Sequence, residues 1–361
     1  MAPTDMLNRL KSYYQTNEEE QDVPVIAPQT AALISIIYTI LYVLPFYLSS
    51  TTRPSPTISR DSPTVIRARI RAVTFTCVIT TLGTYYVLCS QANTTPWQAL
   101  HFMGWWPVSI LDLARSFLLT AILFLGPLFE RGVVEEGWKD WIRGRHVRET
   151  LSSWIGWRNF IAGPTTEEIV FRSTFIPLHL LAHLTPTQVI YFTPLYFGIA
   201  HIHHFYEYTL THPDTPLLPA LLRSLVQFGY TSVFGFFATF LYLRTASLPV
   251  VILVHSFCNW CGLPRFWGRV EGLETAMGPA PSAPPRSPSP SKSEGRALRS
   301  KKVREMLGTD DTPLAQKMQV ADGRLGVGWT VAYYVLLVAG VVGFWWGFWP
   351  LTESEMALAT F

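Results

Sequence analysis

Charge is scarce in this sequence. Of its 361 residues only 15% are Asp, Glu, Lys or Arg, against about 25% in ordinary soluble domains. The deficit is concentrated in blocks of about twenty apolar residues, the length that crosses the hydrocarbon core of a bilayer, and a soluble globular fold is excluded. Cysteine is scarcer still. Cys77, Cys89, Cys258 and Cys261 are the whole complement, and they lie in or beside the apolar blocks with none of the spacing of a disulfide framework. Cys258 and Cys261 have the separation of a redox pair but no βαβ context to give it meaning. The first 28 residues carry Glu18-Glu19-Glu20 in place of the basic stretch and short apolar core of a cleaved signal, so no cleaved signal is expected. His-Glu-x-x-His, Gly-x-Ser-x-Gly and phosphate-cradling glycine loops are also missing, which removes the best-known zinc-protease, serine-hydrolase and nucleotide-binding chemistries.

What is there is apolar and aromatic: 49% hydrophobic residues, with 13 Trp, 15 Tyr and 22 Phe. Hydropathy predicts an all-α, polytopic membrane protein of about eight transmembrane helices enclosing a polar intramembrane cavity. The expected spans are 30–49, 72–91, 107–130, 161–181, 189–203, 217–243, 248–263 and 325–349. The fourth and fifth are imperfect, and irregular backbone at depth is tolerated only inside protein or along a cavity. Trp105 and Trp106 suit an interfacial belt, and Trp138, Trp141 and Ile142 among charges predict a helix lying in the interface. The domain reading is a polar segment 1–29, a membrane domain 30–263 with its core motifs in 157–264, a Pro/Ser-rich and basic loop 264–324, a final helix 325–349 and a tail 350–361. The loop's run of Pro279, Pro281, Pro284, Pro285, Pro288 and Pro290 predicts disorder. No internal repeat is visible.

The formal net charge of +3 comes from clusters between spans and reports orientation, so no nucleic-acid partner is expected. Loops after the first, third and seventh spans hold five, six and eleven Lys or Arg, whereas those after the second, fourth and sixth hold only Arg244. The basic loops are therefore expected in the cytosol.

Three polar constellations interrupt the apolar blocks. The first is Thr165-Thr166-Glu167-Glu168 with Arg172. Ionisable residues at depth usually face a partner or a watery cavity. On a helix Glu168 and Arg172 share a face while Glu167 is turned by roughly 100° from Glu168, so one glutamate can be paired and its neighbour left free. Thr165-x-x-Glu168 behind Pro164 also reads as a capping box, which accounts for Glu168 without chemistry. The second constellation is Phe197 with His201, followed by His203 and His204, which read as interfacial. The third is His255 with Asn259, four apart and on one face, placed either to glue helices or to donate hydrogen bonds to an oxyanion. Glu167, His201 and His255 could alternatively ligate zinc with an open position.

In this order, Glu-Glu-x-x-x-Arg, Phe-x-x-x-His and His-x-x-x-Asn on successive apolar segments resemble the type II CAAX prenyl endopeptidases, or Ras-converting enzymes, of the glutamate-type intramembrane proteases. The convincing part runs from Trp157 to Pro264, and the Pro/Ser-rich loop is a departure from the pattern. The resemblance implies an eight-helix endoplasmic reticulum enzyme, open to the cytosol. It would remove the last three residues of prenylated CAAX proteins such as small GTPases, with no cofactor and the lipid bilayer as its surroundings. It also implies roles: Glu167 helped by His201 activates water, His255 and Asn259 hold the oxyanion, and Glu168, Arg172 and Phe197 support them. A transporter or proton relay would use the same buried carboxylates and histidines, and a peptidase assay separates the two.

Overall fold

In the computed structural model residues 24–270 and 325–361 are described. The expected loop 264–324 lies outside them except for residues 264–270, and the polar N-terminal segment except for residues 24–29. The described residues form helices joined by turns and loops, with no strand among them. Eight principal helical segments can be numbered in chain order: α1 Pro28–Val43, α2 Pro63–Gln91, α3 Ile110–Leu123, α4 Gly163–Glu168, α5 Pro186–Ala200, α6 Leu217–Thr245, α7 Leu248–Cys261 and α8 Val327–Gly347.

Local sequence explains where they start. Pro28 and Pro63 occupy first-turn positions, where the missing N–H costs nothing. Ser62 caps α2 by accepting from the Val65 N–H at 3.4 Å. Thr185 and Gln188 form a reciprocal capping box at the start of α5. The corresponding expectation at Thr165 and Glu168 is overturned. Residue 165 lies inside a continuous helical run that enters α4 from a π-helical turn, Arg158–Ala162, and Ala162 at its N-cap has helical geometry with no side-chain cap. No chain end is exposed there for Thr165 to cap, so Glu168 must be explained otherwise.

Among the described residues four helices are long and apolar enough to span a membrane: Pro28–Leu48, which is α1 with a short extension, then α2, α6 and α8. Ile110–Leu123 and Leu125–Val134 make a fifth if read as one span bent by 81°. The remaining expected spans are shorter or broken. α5 and α7 have 15 and 14 residues, about 21–23 Å at 1.5 Å per residue. α4 is followed by a π-helical stretch, Ile169–Thr174, and a further helix, Phe175–Leu181.

Polarity runs inside out. Leu33, Ile36, Ile37 and Ile40 of α1, Phe75, Val78 and Leu82 of α2, and Val331, Val335 and Val338 of α8 are exposed, an apolar surface suited to lipid. Polar side chains are turned inward, where several close on their own helix: Thr120 donates to Ser116 O at 2.8 Å, Thr174 to Val170 O at 2.7 Å and Thr193 to Val189 O at 2.8 Å. Around α4 an aromatic cluster of Tyr42, Phe171, Phe175 and Phe197 packs edge to face, with ring centroids 5.2–5.5 Å apart. Gly198 and Gly235 let α5 and α6 meet closely. An added Cβ would lie 2.6 Å from Ser232 Oγ at the first and 2.6 Å from Pro194 Cβ at the second.

The chain's last residues are part of the fold. Ser354 Oγ donates to Asp112 Oδ2 at 2.6 Å, and the Leu358 N–H donates to Leu243 O at 2.8 Å. The interface helix expected around Trp138 is a pair of short helices, Trp138–Ile142 and Arg145–Ser152, with Ile142 fully turned outward.

Candidate active site

The two adjacent glutamates have different surroundings. Glu168 is completely buried, whereas the side chain of Glu167 is 22% exposed and faces a cavity. Glu168 Oε1 accepts from Arg172 Nη1 at 3.1 Å, the i, i+4 pairing expected from the sequence, and from His255 Nδ1 at 2.6 Å. A carboxylate paired to a guanidinium can only accept, so the His255 proton on that side sits on Nδ1. The other ring nitrogen, Nε2, is then directed at Glu167 Oε2, 3.6 Å away. Arg172 is 1% exposed, and its guanidinium lies over the rings of Phe197 at 4.6 Å and Phe234 at 5.6 Å. Its Nε and Nη2 have no hydrogen-bond partner among the described residues, and the aromatic faces supply favourable surroundings for the positive charge. Phe197 therefore has a physical task beside the expected support role, and Phe234, to which the sequence assigned no role, shares it.

His201 stands at the end of α5, where its Nδ1 contacts Phe197 O at 2.7 Å. With Nδ1–H donating to that carbonyl, Nε2 is left for the cavity. The imidazole set directly beside Glu167 is that of His255. Asn259 Nδ2 donates to the carbonyl of Asn159 at 3.1 Å, which uses one of its two amide hydrogens. Thr166 is held by Tyr42, with 3.1 Å between their hydroxyls, and donates to Ala162 O at 2.8 Å, anchoring the helix turn that presents Glu167.

Glu167, His201, His204 and Asn259 border two hollows at once. One, of about 1150 Å³, is an aromatic groove between α5, α6, α7 and α8, lined by Tyr191, Phe234, Phe237, Phe344 and, from the chain's end, Trp349 and Phe361. The other, of about 370 Å³, runs past Phe46 and Ile70 to Arg60, Arg69 and Arg158. Beyond the fifth span the buried Glu207 takes Arg60 Nη1 at 3.1 Å, Arg69 Nη2 at 2.9 Å and His204 Nδ1 at 3.3 Å. Burial pushes its pKa up, but the His204 hydrogen bond and the two guanidiniums outweigh this and hold it well below the usual carboxylate range. In the sequence Arg60 and Arg69 entered only the count of loop charges, Arg158 with Asn159 also entered the family resemblance, and Glu207 was missed. The one available signal was an acidic residue three positions after His204, too local to reveal partners on a different loop. His203 and His204, expected at the interface, are part-buried against Ala200 O and Glu207.

Among the described residues no three His, Cys, Asp or Glu side chains are grouped to hold an ion, so the arrangement offers the zinc alternative no preformed ligand set. Cys258 and Cys261 are free thiols.

Fold and site thus define an all-α, multi-pass membrane protein with a carboxylate–histidine cluster between two internal hollows. Residues 149–261 match the family model for the type II CAAX prenyl endopeptidase Rce1-like proteins. The chain is 36% identical over 238 residues to the probable CAAX prenyl protease 2 of Schizosaccharomyces pombe, covering 66% of this chain and 83% of that protein. It is 31% identical to the CAAX prenyl protease 2 of Arabidopsis thaliana, over 70% of this chain and 85% of the relative. The human CAAX prenyl protease 2 is 33% identical over 227 residues, covering 59% and 66% of the two chains. No solved structure matches. The chain belongs to the type II CAAX prenyl endopeptidase family, a family of peptide hydrolases.

Proposed function

We propose that this protein removes the aaX tripeptide from prenylated CAAX C-termini in the endoplasmic reticulum membrane, with its site open to the cytosol. The observation that carries the reading is the position of Glu167 and its neighbours at the junction of an aromatic groove and a smaller polar cavity. A prenylated cysteine lies at such a junction by its own chemistry, with a hydrocarbon chain on one side and three residues of peptide on the other. The groove would take the prenyl chain, stabilised by roughly 25 cal/mol for each Å² of apolar surface it covers.

In the reaction we propose, Glu167 accepts a proton from a water molecule as its oxygen attacks the carbonyl carbon of the prenylated cysteine. His201 Nε2 helps to orient that water. The developing oxyanion is met by the second amide hydrogen of Asn259 and by His255 Nε2–H, whose ring Glu168 holds in register. The C–N bond breaks, and the proton on Glu167 passes to the leaving amine. Arg172 would act by fixing Glu168, and Phe197 by fixing Arg172 and His201.

The test is to incubate the purified protein in detergent with a farnesylated Cys-a-a-X peptide and look for the released tripeptide. Release is expected with and without a chelator. No release, from protein shown to be folded, would overturn the reading and favour the transporter alternative, and release abolished by the chelator would bring back a metal.

A further inference from the structure

The smaller cavity has a feature that the hydrolytic chemistry leaves unused. On the side formed by the loop before α2, by α2 itself and by the π-helical turn leading into α4 it is lined by three guanidiniums, Arg60, Arg69 and Arg158. Their counter-charges are few. Glu207 serves Arg60 and Arg69 together, and Arg158 Nη1 meets Asp61 Oδ1 at 2.7 Å. The imidazoles of His203 and His204 also face this side and are held by Ala200 O and Glu207. Three guanidiniums against Glu207 and Asp61 leave one positive charge over, and Asp61, half exposed, is the weaker of the two partners because water screens it. Glu167, which also lines the cavity, is set beside His255 Nε2 at 3.6 Å and is counted with that histidine.

The three arginines are not equivalent. Arg69 is largely buried and committed, with Nε donating to Thr52 O at 2.8 Å and Nη2 to Glu207. Arg60 and Arg158 keep 45% and 23% of their side-chain surface open. Arg158 is also tied to the chemistry. Its Nε donates to Asn159 Oδ1 at 2.9 Å, and the carbonyl of Asn159 accepts from Asn259.

We propose that Arg60 and Arg158 form the binding site for the free α-carboxylate of the substrate's last residue. The proposal rests on the peptidase reading above and deepens it. If the scissile carbonyl lies at Glu167, the three residues beyond it extend by roughly 10 Å, down the smaller cavity towards the arginines. A terminal carboxylate there would supply the one negative charge that this side of the cavity lacks, and arginine's planar fork suits it. The site would make the enzyme measure the distance from cleaved bond to chain end, which explains how three residues and no other number could be released. The pair Arg69–Glu207 braces the site without touching the ligand.

The experiment compares two farnesylated Cys-a-a-X peptides, one ending in the free acid and one in the amide, on the wild-type protein and on Arg158→Gln and Arg60→Gln, reconstituted in vesicles of zwitterionic lipid and of zwitterionic plus anionic lipid. The wild type is expected to show KM roughly tenfold or more higher for the amide with kcat nearly unchanged, the size of a lost charge-assisted hydrogen bond. Each variant is expected to bring the acid-to-amide ratio of kcat/KM close to one, whatever it does to the cleavage of the amide by itself. Arg158→Lys should restore part of the preference for the acid. Equal KM for acid and amide in the wild type would overturn the carboxylate site and leave the peptidase reading intact. So would variants that lower both peptides equally, which would mark the arginines as structural. An effect that follows the anionic lipid and ignores the peptide's end would assign them to lipid headgroups. If the wild type cleaves neither peptide, both readings fall. The acid-to-amide comparison on the wild type needs no variant to fold.

Discussion

At the scale of the residue, Glu167 and Glu168 show how two identical side chains, adjacent in the chain, divide their tasks. The helix turns them about 100° apart, so one enters the Arg172–His255 pairing and the other the cavity. Isosteric replacements should separate them. Glu167→Gln is expected to lower kcat by a hundredfold or more, the scale of a lost general base, with a melting temperature in detergent close to wild type, because no buried cation depends on it alone. Glu168→Gln should cost about 3–5 kcal/mol of stability by leaving Arg172 as an unpaired buried charge, and the melting temperature should fall accordingly. Equal losses of stability in both variants would contradict the division. The pairing of Glu168 with Arg172 was legible from their spacing. Its link to His255, 87 positions away, was not, because no local pattern specifies which distant helix supplies the third member.

At the scale of the element, the site depends on how closely α5 and α6 approach. Gly235 lies against Pro194 and within reach of Arg172, with 2.6 Å and 3.4 Å from an added Cβ to Pro194 Cβ and Arg172 Nη2. Neither neighbour can yield easily, since one is a ring carbon on a packed helix and the other is the guanidinium that holds Glu168. Gly235→Val is therefore expected to cost about 1–3 kcal/mol, as overpacking usually does, and to reduce peptide cleavage together with the melting temperature. A variant with wild-type stability and turnover would show that the contact is not rigid. The apolar blocks were readable one by one, but the crossing of α5 with α6 was not, because a glycine in an apolar run marks close approach without naming the partner. The π-helical turns at Arg158–Ala162 and Ile169–Thr174 escaped sequence reading for a related reason. Their side chains follow no separate period, and what holds them is the packing around the site.

At the scale of the whole molecule, the arginine-rich segments Arg60, Arg69 and Arg158 converge on one end of the helix bundle, where the smaller cavity lies, while the last residues dock on Leu243 and Asp112. The loop charge count predicts that the first of these ends faces the cytosol. A tag inserted after Gly272 should be cleaved by protease added to sealed microsomes, and a tag following Phe361 should be protected. The reverse result would invert the orientation, and identical behaviour of both tags would mean an even number of crossings between them. The docked tail also gives a partner to Asp112, a charge inside the third expected span, since Ser354 donates to it at 2.6 Å.

The sequence by itself determined the class of fold, the family and the three polar constellations, because hydropathy and the i, i+4 spacing are properties of contiguous residues that need no partner to be read. It also carried the asymmetry between Glu167 and Glu168, which follows from helix geometry alone. Tertiary structure alone decided that His255 is the imidazole next to Glu167, that Glu168 pairs rather than caps, and that four residues border two hollows at once. It alone brought Arg60, Arg158 and Glu207 from three distant segments to the end of one cavity. The physical reason is the same in each case: inside a membrane bundle a charge must find its counter-charge across helices, and which helices meet is set by packing summed over the whole interface, a quantity that no single stretch of sequence contains.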